Sequence, residues 1–219
     1  MLENKDKIVL HLCASEIGSD SLPYQRAGYD VRLITKEIGV EGYLPPENVY
    51  GIIANPPCTN FSFARTKAKI PRNLKEGFSL VLACLDIMWM CQSKIKNDQQ
   101  RKAPLKFWVL ENPDAMLRWF LGKPAMVFSP HEFGDSYQKK TALWGNFNEP
   151  KKLPLDLEIG RIYKTNNKTK IHTNSQPLKK FDKLLIKEIH PEFYGKMTRQ
   201  DRRSICSEKF AQAFFEANK

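Results

Sequence analysis

Two short segments carry the residues of this chain with the clearest capacity for chemistry. The first is Ala54-Asn55-Pro56-Pro57-Cys58-Thr59-Asn60-Phe61-Ser62, in which two prolines restrict the backbone just before a thiol. A thiolate is a strong nucleophile, and a nearby cation such as Arg65 helps to lower a thiol pKa from about 8.5. This pattern predicts that Cys58 is reactive. The alternative is a buried cysteine in a proline turn.

The second segment places a carboxylate directly after an apolar run, in Phe107-Trp108-Val109-Leu110-Glu111-Asn112-Pro113. Partial burial raises the pKa of a carboxyl group, so that it can hold and donate a proton near neutral pH. We therefore predict that Glu111 is a general acid. The alternative is a solvated glutamate that caps the helix after it.

Apolar runs and turn residues indicate the elements that must position these side chains. Strands that alternate with helices favour a parallel α/β sheet, whose ligands bind at the carboxyl ends of the strands. Cys58 and Glu111 each follow such an end, so we expect them at one edge. Strands are predicted at 7–13, 31–34, 49–54, 107–110 and 141–144, and helices at 22–27, 73–94 and 207–218.

These motifs together resemble those of the cytosine-C5 DNA methyltransferases. Pro57-Cys58-Thr59-Asn60-Phe61-Ser62 is similar to the family signature Pro-Cys-x-x-Phe-Ser, and Glu111-Asn112-Pro113 is similar to Glu-Asn-Val. Gln138-Lys139-Lys140-Thr141-Ala142-Leu143-Trp144-Gly145 resembles a Gln-x-Arg-x-Arg strand, with Lys140 at an arginine position. The resemblance covers residues 7–147 and the tail. It implies a Rossmann-like class I methyltransferase fold, with a mostly parallel sheet flanked by helices.

The resemblance also implies a reaction, the transfer of a methyl group from S-adenosylmethionine to C5 of cytosine in DNA. Cys58 would add to C6 of a base flipped out of the duplex, and Glu111 would protonate N3. Lys140, or alternatively Lys139, would hold the O2 edge of the base through a charged hydrogen bond. The residues expected to contact the substrate are Ser62, Arg65, Asn112 and Lys139.

The cofactor region departs from the family pattern. Family members carry Phe-x-Gly-x-Gly in the first strand and its turn, whereas Ala14 and Glu16 occupy the glycine positions here and only Gly18 remains. Glu37 comes two positions later than the acidic residue that holds the ribose, and Glu16 could instead bind the methionine amino group. An ordinary strand-to-helix turn is the alternative. The expected cofactor-binding residues are Cys13, Ala14, Ser15, Glu16, Gly18, Glu37, Asn55 and Pro56.

Charge points to a polyanionic partner, most simply a nucleic acid. The 219 residues carry a formal net charge of +11, and sixteen basic against seven acidic residues lie between 139 and 203. We predict a catalytic domain over 1–147 and a small, irregular, basic insert over 148–198 that serves as a minimal target-recognition region. Such an insert can clamp phosphates but can read few bases. Residues 199–219 should form a helix that packs back on the catalytic domain.

Several protein classes are disfavoured by the sequence. The five cysteines form no Cys-x-x-Cys pair, which argues against a disulfide framework and a structural zinc site, and the four histidines show no metal-ligand spacing. No apolar run approaches the 18 or so residues of a membrane span, and the first apolar stretch is too short for a signal peptide. We expect a cytoplasmic protein without a bound metal, and nothing in the sequence requires an oligomer.

Three alternative functions remain open from the sequence. The same chemistry could act on RNA or on a free pyrimidine nucleotide, although a basic insert favours a polymer. Asn55-Pro56-Pro57 also resembles the Asn-Pro-Pro-aromatic motif of enzymes that methylate exocyclic amines, but Cys58 stands at the aromatic position. Finally, the altered glycine loop is compatible with a nucleic-acid-binding protein that has lost its cofactor.

Overall fold

A six-stranded mixed sheet forms the centre of the computed structural model, which describes residues 3–65, 68–92, 105–135, 137–153, 160–165, 168–173, 176–177, 179–180, 195 and 199–219. Its strands are β1 (Ile8–Leu12), β2 (Asp30–Ile34), β3 (Val49–Ala54), β4 (Phe107–Pro113), β5 (Met126–Phe128) and β7 (Thr141–Asn146). Their spatial order is β2-β1-β3-β4-β7-β5. The first four are parallel, and β7 runs antiparallel to both of its neighbours. The prediction of a mostly parallel α/β sheet is confirmed, and the topology is compatible with a Rossmann-like fold.

Helices flank this sheet: α1 (Leu22–Arg26), α2 (Leu74–Gln92), α3 (Arg118–Leu121), α4 (Arg199–Ser204) and α5 (Glu208–Asn218). Single 3₁₀ turns lie at Asn4–Asp6, Cys58–Asn60 and Pro130–Phe133. The two long helices begin at the capping residues that the sequence indicates. The Asn73 side chain accepts from the amide of Glu76, and the Ser207 hydroxyl accepts from the amide of Phe210. In the described part of the chain, no helix has the length and apolar character to cross a membrane.

Apolar layers cover both faces of the sheet because successive strand residues point to opposite sides. One layer packs β1 and β3 against α2, and it includes Leu10, Leu12, Ile52, Val81, Cys84 and Ile87. The other layer packs the sheet against α1 and α5, and it includes Val9, Ile53, Phe107, Phe210 and Phe214. The C-terminal helix therefore buries its aromatic face against the sheet.

The predicted insert contains more regular structure than its composition suggests. β8 (Gly160–Thr165), β9 (Lys168–Thr173) and β10 (Gln176–Pro177) form an antiparallel sheet. β11 (Lys179–Lys180) pairs in parallel with β6 (Tyr137–Gln138), just before β7. In β9, Lys168, Lys170 and His172 alternate with the β-branched Thr169, Ile171 and Thr173, a pattern obscured by the many charges of the insert. Positions 154–159 and 181–194 of the insert lie outside the described residues.

Tyr24, a residue of α1, packs in a cluster of aromatic rings. Its ring stacks on Phe107 at 5.4 Å between centroids and meets Phe215 edge-on at 4.9 Å. Its hydroxyl is buried and has no hydrogen-bond partner among the residues that the structure describes. Folding thus removes this hydroxyl from water without replacing its hydrogen bonds, which opposes stability.

Replacing Tyr24 by phenylalanine should raise the free energy of unfolding by about 1 kcal/mol, because the desolvated hydroxyl disappears while the ring stays. Urea denaturation of the purified protein measures this change. Tyr29→Phe is the matched control, since the Tyr29 hydroxyl accepts a hydrogen bond from Lys7 at 3.3 Å and its removal should lower stability slightly. A loss of stability in Tyr24→Phe as large as that of the control would contradict this account.

Candidate functional site

The loop that carries Cys58 is fixed between the carboxyl ends of β3 and β4. The amides of Phe61 and Ser62 both donate to the carbonyl of Cys58 at 2.9 Å, which closes a tight turn directly after the two prolines. The buried Asn112 side chain, at the end of β4, donates to the carbonyl of Pro56 at 2.9 Å. This bond ties the cysteine loop to the strand that bears Glu111.

The side chain of Asn55 connects three strand ends. Its Nδ2 donates to Glu111 Oε2 at 3.3 Å and to Asp20 Oδ1 at 3.2 Å. Its Oδ1 lies 2.9 Å from Nε2 of His11, which is buried in β1. The amide nitrogen thus faces the oxygens of the two acidic side chains, and the amide oxygen faces the histidine.

His11 extends this network towards α1. Burial lowers its pKa, so the ring is neutral, and its Nε2 carries the proton that Asn55 accepts. Its Nδ1 lies 2.8 Å from the hydroxyl of Ser21, which also lies within hydrogen-bond distance of the Gly18 carbonyl at 3.0 Å. A continuous chain of hydrogen bonds therefore runs from Ser21 through His11 and Asn55 to two carboxylates.

Glu111 lies in an environment that favours its protonated form. Burial raises the pKa of this carboxyl group, and the negative charge of Asp20 acts in the same direction. The positive charge of Lys139 and the hydrogen bond from Asn55 oppose the rise in pKa but do not cancel it. A carboxyl group that keeps its proton towards neutral pH is suited to act as a general acid.

The Cys58 thiol is electrostatically coupled to Glu111. Burial raises the thiol pKa first, and the negative charge of Glu111 raises it further. Lys139 and Arg203 lower the pKa, although by less. The thiolate therefore forms more readily when Glu111 is protonated and no longer repels it.

The structure distinguishes between the two adjacent lysines. Lys139 lines a small cavity together with Asp20, Asn55 and Glu111, and its Nζ donates to the carbonyl of Ile205 at 3.5 Å. Lys140 instead points outward, with a 69% exposed side chain, and pairs with Asp114 at 2.7 Å. Neighbouring residues in extended backbone face opposite sides, which separates the two cations. The geometry places Lys139 beside Glu111, whereas the sequence prediction put Lys140 first.

The other predicted substrate residues support the loop from within. Arg65 donates through Nη1 to Asn60 at 3.1 Å and through Nη2 to the carbonyl of Ile70 at 2.7 Å. The Ser62 hydroxyl accepts from the amide of Ala64 at 3.2 Å. Asn112 points its amide at Pro56, and its buried Oδ1 has no partner among the described residues. These contacts shape the cysteine loop rather than leave a row of side chains free for a base.

Part of the predicted cofactor loop is explained by the fold. Cys13 adopts a φ of +54° and its sulfur lies 3.8 Å from that of Cys84, while the amide of the buried Ala14 donates to the carbonyl of Ile34. Gly18 adopts a φ of +58°, and a Cβ there would lie 2.7 Å from the side chain of Leu33. The left-handed backbone conformation therefore favours glycine at position 18.

Other residues at the same edge present groups that fit S-adenosylmethionine. Glu16 and Glu37 are exposed, Ser15 is half-buried, and Pro56 is buried beneath the loop that Asn55 begins. Hydrogen bonds from the Thr35 hydroxyl and from its own amide hold the pKa of Glu37 below its usual value, so this carboxylate is ionised. Ile38, next to it, is 59% exposed. Glu37 beside an apolar side chain offers an acceptor for hydroxyl groups and a face for a flat ring, and Glu16 offers an acceptor for an ammonium group.

Sequence reasoning missed the residues that complete the cavity. A histidine within the apolar run of β1 and an aspartate just before α1 were the available signals for His11 and Asp20. No local signal indicated that the linker between α4 and α5 would reach the site. The Cys206 amide donates to the Ser19 hydroxyl at 2.9 Å, and the cavity is further lined by Ser204, Cys206, Ser207 and Phe210.

Comparisons with protein-family models and with curated proteins found no match to this chain. The geometry of the site and the sequence motifs therefore provide the evidence for function. The residues concerned are Asn55, Cys58, Glu111 and Lys139.

Replacing Glu111 by glutamine should lower the pKa of the Cys58 thiol, because the neighbouring negative charge is removed. Iodoacetamide reacts with thiolates, so alkylation of the Cys58 peptide, followed by mass spectrometry across neutral and alkaline pH, reports this pKa. The alkylation curve of Glu111→Gln should move to lower pH. Glu216→Gln, at an exposed carboxylate paired with Lys219, should leave the curve in place. A shift to higher pH in Glu111→Gln would refute the coupling.

Proposed function

We propose that this chain is an S-adenosylmethionine-dependent DNA methyltransferase that modifies C5 of cytosine. The observation that carries the proposal is the pairing of Cys58 and Glu111 at the ends of β3 and β4, with Lys139 close to both. A nucleophile, a protonated carboxyl group and a cation are the three groups that activation of C5 requires. Carbon 5 of cytosine is too weak a nucleophile to react without them.

S-adenosylmethionine, when bound, supplies an electrophilic methyl group. The residues that would hold it line the edge formed by β1, β2 and β3. Glu37 would accept from the ribose hydroxyls, Ile38 would contact the adenine ring, and Glu16 would pair with the amino group. Asn55 and Pro56 would form the wall next to the base.

The chain's own residues activate the cytosine in one balanced step. The Cys58 thiolate donates an electron pair to C6, and the electrons of the C5–C6 bond shift through the ring to N3. Glu111 gives its proton to N3, which leaves a neutral enamine with a nucleophilic C5. Lys139 donates a charged hydrogen bond to the O2 edge of the base.

The same residues reverse the addition after C5 has gained its methyl group. A proton leaves C5 for solvent, the electron pair re-forms the C5–C6 double bond, and Cys58 departs as the thiolate. The N3 proton returns to the Glu111 carboxylate. Both groups are then in their starting states for another cycle.

The electrostatic coupling between Glu111 and Cys58 favours both the addition and its reversal. A raised pKa makes Glu111 easier to protonate, and in its protonated form the carboxyl group does not repel the Cys58 thiolate. Once Glu111 has given up its proton, its negative charge favours expulsion of the sulfur. Acid and nucleophile thus help each other in both directions.

The alternative of exocyclic-amine methylation receives less support. The motif of such enzymes has an aromatic residue after the prolines to stack the base, whereas Cys58 stands there in this chain. The side chain of Asn55 is already hydrogen-bonded to Asp20, Glu111 and His11. The excess of basic residues between 139 and 203 supports a polymeric nucleic acid over a free nucleotide.

DNA that contains 5-fluorocytosine should trap the protein covalently in the presence of S-adenosylmethionine, because fluorine at C5 cannot leave as a proton does. The adduct is measured by intact mass after denaturation. Cys58→Ala should form none, while Cys91→Ala, at a buried thiol on α2, should form it normally. An adduct that persists in Cys58→Ala, or its absence from the wild-type protein with DNA and with RNA alike, would overturn the proposed function.

Lys139→Met should lower the single-turnover rate about 10- to 150-fold, the value of a lost charged hydrogen bond of about 1.5–3 kcal/mol. Transfer of a labelled methyl group to DNA at saturating concentrations provides the measurement. Lys106→Met is the control, because Lys106 is exposed at the amino end of β4, away from the site. Equal rates for the two variants would show that Lys139 does not assist the reaction.

A further inference from the structure

Two exposed aromatic rings lie side by side at the rim of the candidate site. Phe63 is 52% exposed and comes from the loop that begins with Cys58, whereas Trp119 is 66% exposed and comes from α3, after β4. Their ring centroids are 5.7 Å apart, with an angle of 54° between the planes. The amide of Met116 donates to the carbonyl of Phe61 at 3.1 Å, which joins the two segments. The pair therefore combines elements from both catalytic segments.

These rings sit above a packed aromatic base. Phe61 is fully buried and meets Phe78 edge-to-face at 5.1 Å, and Phe78 meets Phe120 in the same way at 4.7 Å. Phe120 directly follows Trp119 in α3. The exposed rings are thus attached to segments that the core holds in place, so they form a platform before any ligand binds.

Two cations, one of them adjacent to Trp119 in sequence, are held by one buried carboxylate. The Asp114 side chain is only 3% exposed and pairs with Arg118 at 2.9 Å and with Lys140 at 2.7 Å. Both cations remain substantially exposed, and Arg118 immediately precedes Trp119. One negative charge beneath two positive charges leaves a net positive rim with the remaining N–H groups available to anions.

We propose that Phe63, Trp119, Arg118 and Lys140, here named the aromatic–cation surface, bind an unpaired nucleotide next to the target cytosine. The inference rests on the proposed function, since it places this surface on the nucleic-acid substrate of the same site. A base would stack on the two rings, and its phosphate would meet Arg118 and Lys140. Aromatic rings beside cations are the combination that single-stranded nucleic acids recognise.

The chemistry of the surface favours this occupant over a protein. An apolar protein face would bury Arg118 and Lys140 against groups that cannot pair with them, which costs free energy. A phosphate satisfies both cations, and the net charge of +11 attracts a polyanion to the chain. In an intact duplex the bases stack on one another, so their faces cannot reach the rings. The substrate class that follows is single-stranded or locally opened DNA.

Fluorescence anisotropy with a labelled cytosine-containing oligonucleotide tests the inference on the full chain without cofactor. Trp119→Leu should weaken binding of the single strand about 5- to 100-fold, the usual effect of losing one base–aromatic stack, and should change binding of the duplex by less than about 2-fold. Trp119→Phe should restore most of the affinity, because it restores a ring. Circular dichroism of each variant verifies that it is folded.

Trp89→Leu is the matched control, because Trp89 is 69% exposed but lies near the far end of α2. Because an α-helix rises about 1.5 Å per residue, Trp89 lies about 22 Å along α2 from Leu74, and α2 begins next to the cysteine loop. Trp89→Leu should bind the single strand as the wild-type protein does. Equal affinities for Trp119→Leu and Trp89→Leu would overturn the inference, and so would equal losses for single strand and duplex.

The outcomes separate this inference from the proposed chemistry. If the protein showed a Trp119-dependent preference for single strands but formed no 5-fluorocytosine adduct, nucleotide binding by the aromatic–cation surface would be supported and the proposed reaction would be wrong. If the adduct formed but Trp119→Leu bound the single strand as the wild-type protein does, the proposed reaction would be supported and the aromatic–cation surface would not be a nucleotide-binding site. Sedimentation velocity provides a further check. If Trp119→Leu abolished self-association but left the single-strand affinity unchanged, the rings would bind a second copy of the chain, and the inference would be wrong.

Discussion

The Asn55 side chain must satisfy two carboxylates and a buried histidine at once, and much of the site depends on that requirement. Its amide joins Asp20, Glu111 and His11, which come from the start of α1, from β4 and from β1. His11 is buried and the other three side chains are partly buried, and an unpaired buried polar group would cost about 1–3 kcal/mol. The strands therefore align so that their carboxyl ends meet around this single amide. The prolines that follow Asn55 then direct the chain into the turn that presents Cys58.

This arrangement also sets the protonation states on which the proposed reaction depends. Two carboxylates that share one amide repel each other, so Glu111 retains a proton more readily. The C-terminal segment contributes from the other side, because the Ile205 carbonyl accepts from Lys139 and Cys206 covers the cavity. Closure by this segment excludes water, which strengthens the interactions among Lys139, Glu111 and the thiol. The tail is thus part of the site as well as part of the core.

Local sequence was sufficient to predict five of the six strands of the central sheet and the placement of Cys58 and Glu111 at neighbouring strand ends, whereas β5 was missed. Apolar runs ending in Asn-Pro indicated β3 and β4, a cap at Asn73 indicated α2, and amphipathic spacing indicated the last helix. The choice between Lys139 and Lys140 was not predictable, because it depends on which side of an extended segment faces the site. The tail was predicted to pack back on the catalytic domain, but its place in the cavity wall and that of Asp20 were missed, because contacts between distant segments leave no local pattern. The strands β8 and β9 were hidden by the high lysine content of the insert.

Analysis of the methylated nucleoside tests the central claim most directly. DNA incubated with the protein and with isotopically labelled S-adenosylmethionine is digested to nucleosides, and the labelled product is identified by chromatography and mass spectrometry. We expect the labelled product to be 5-methyldeoxycytidine, because Cys58 and Glu111 activate C5. Labelled N4-methyldeoxycytidine or N6-methyldeoxyadenosine would contradict it, since methylation of an exocyclic amine requires neither residue.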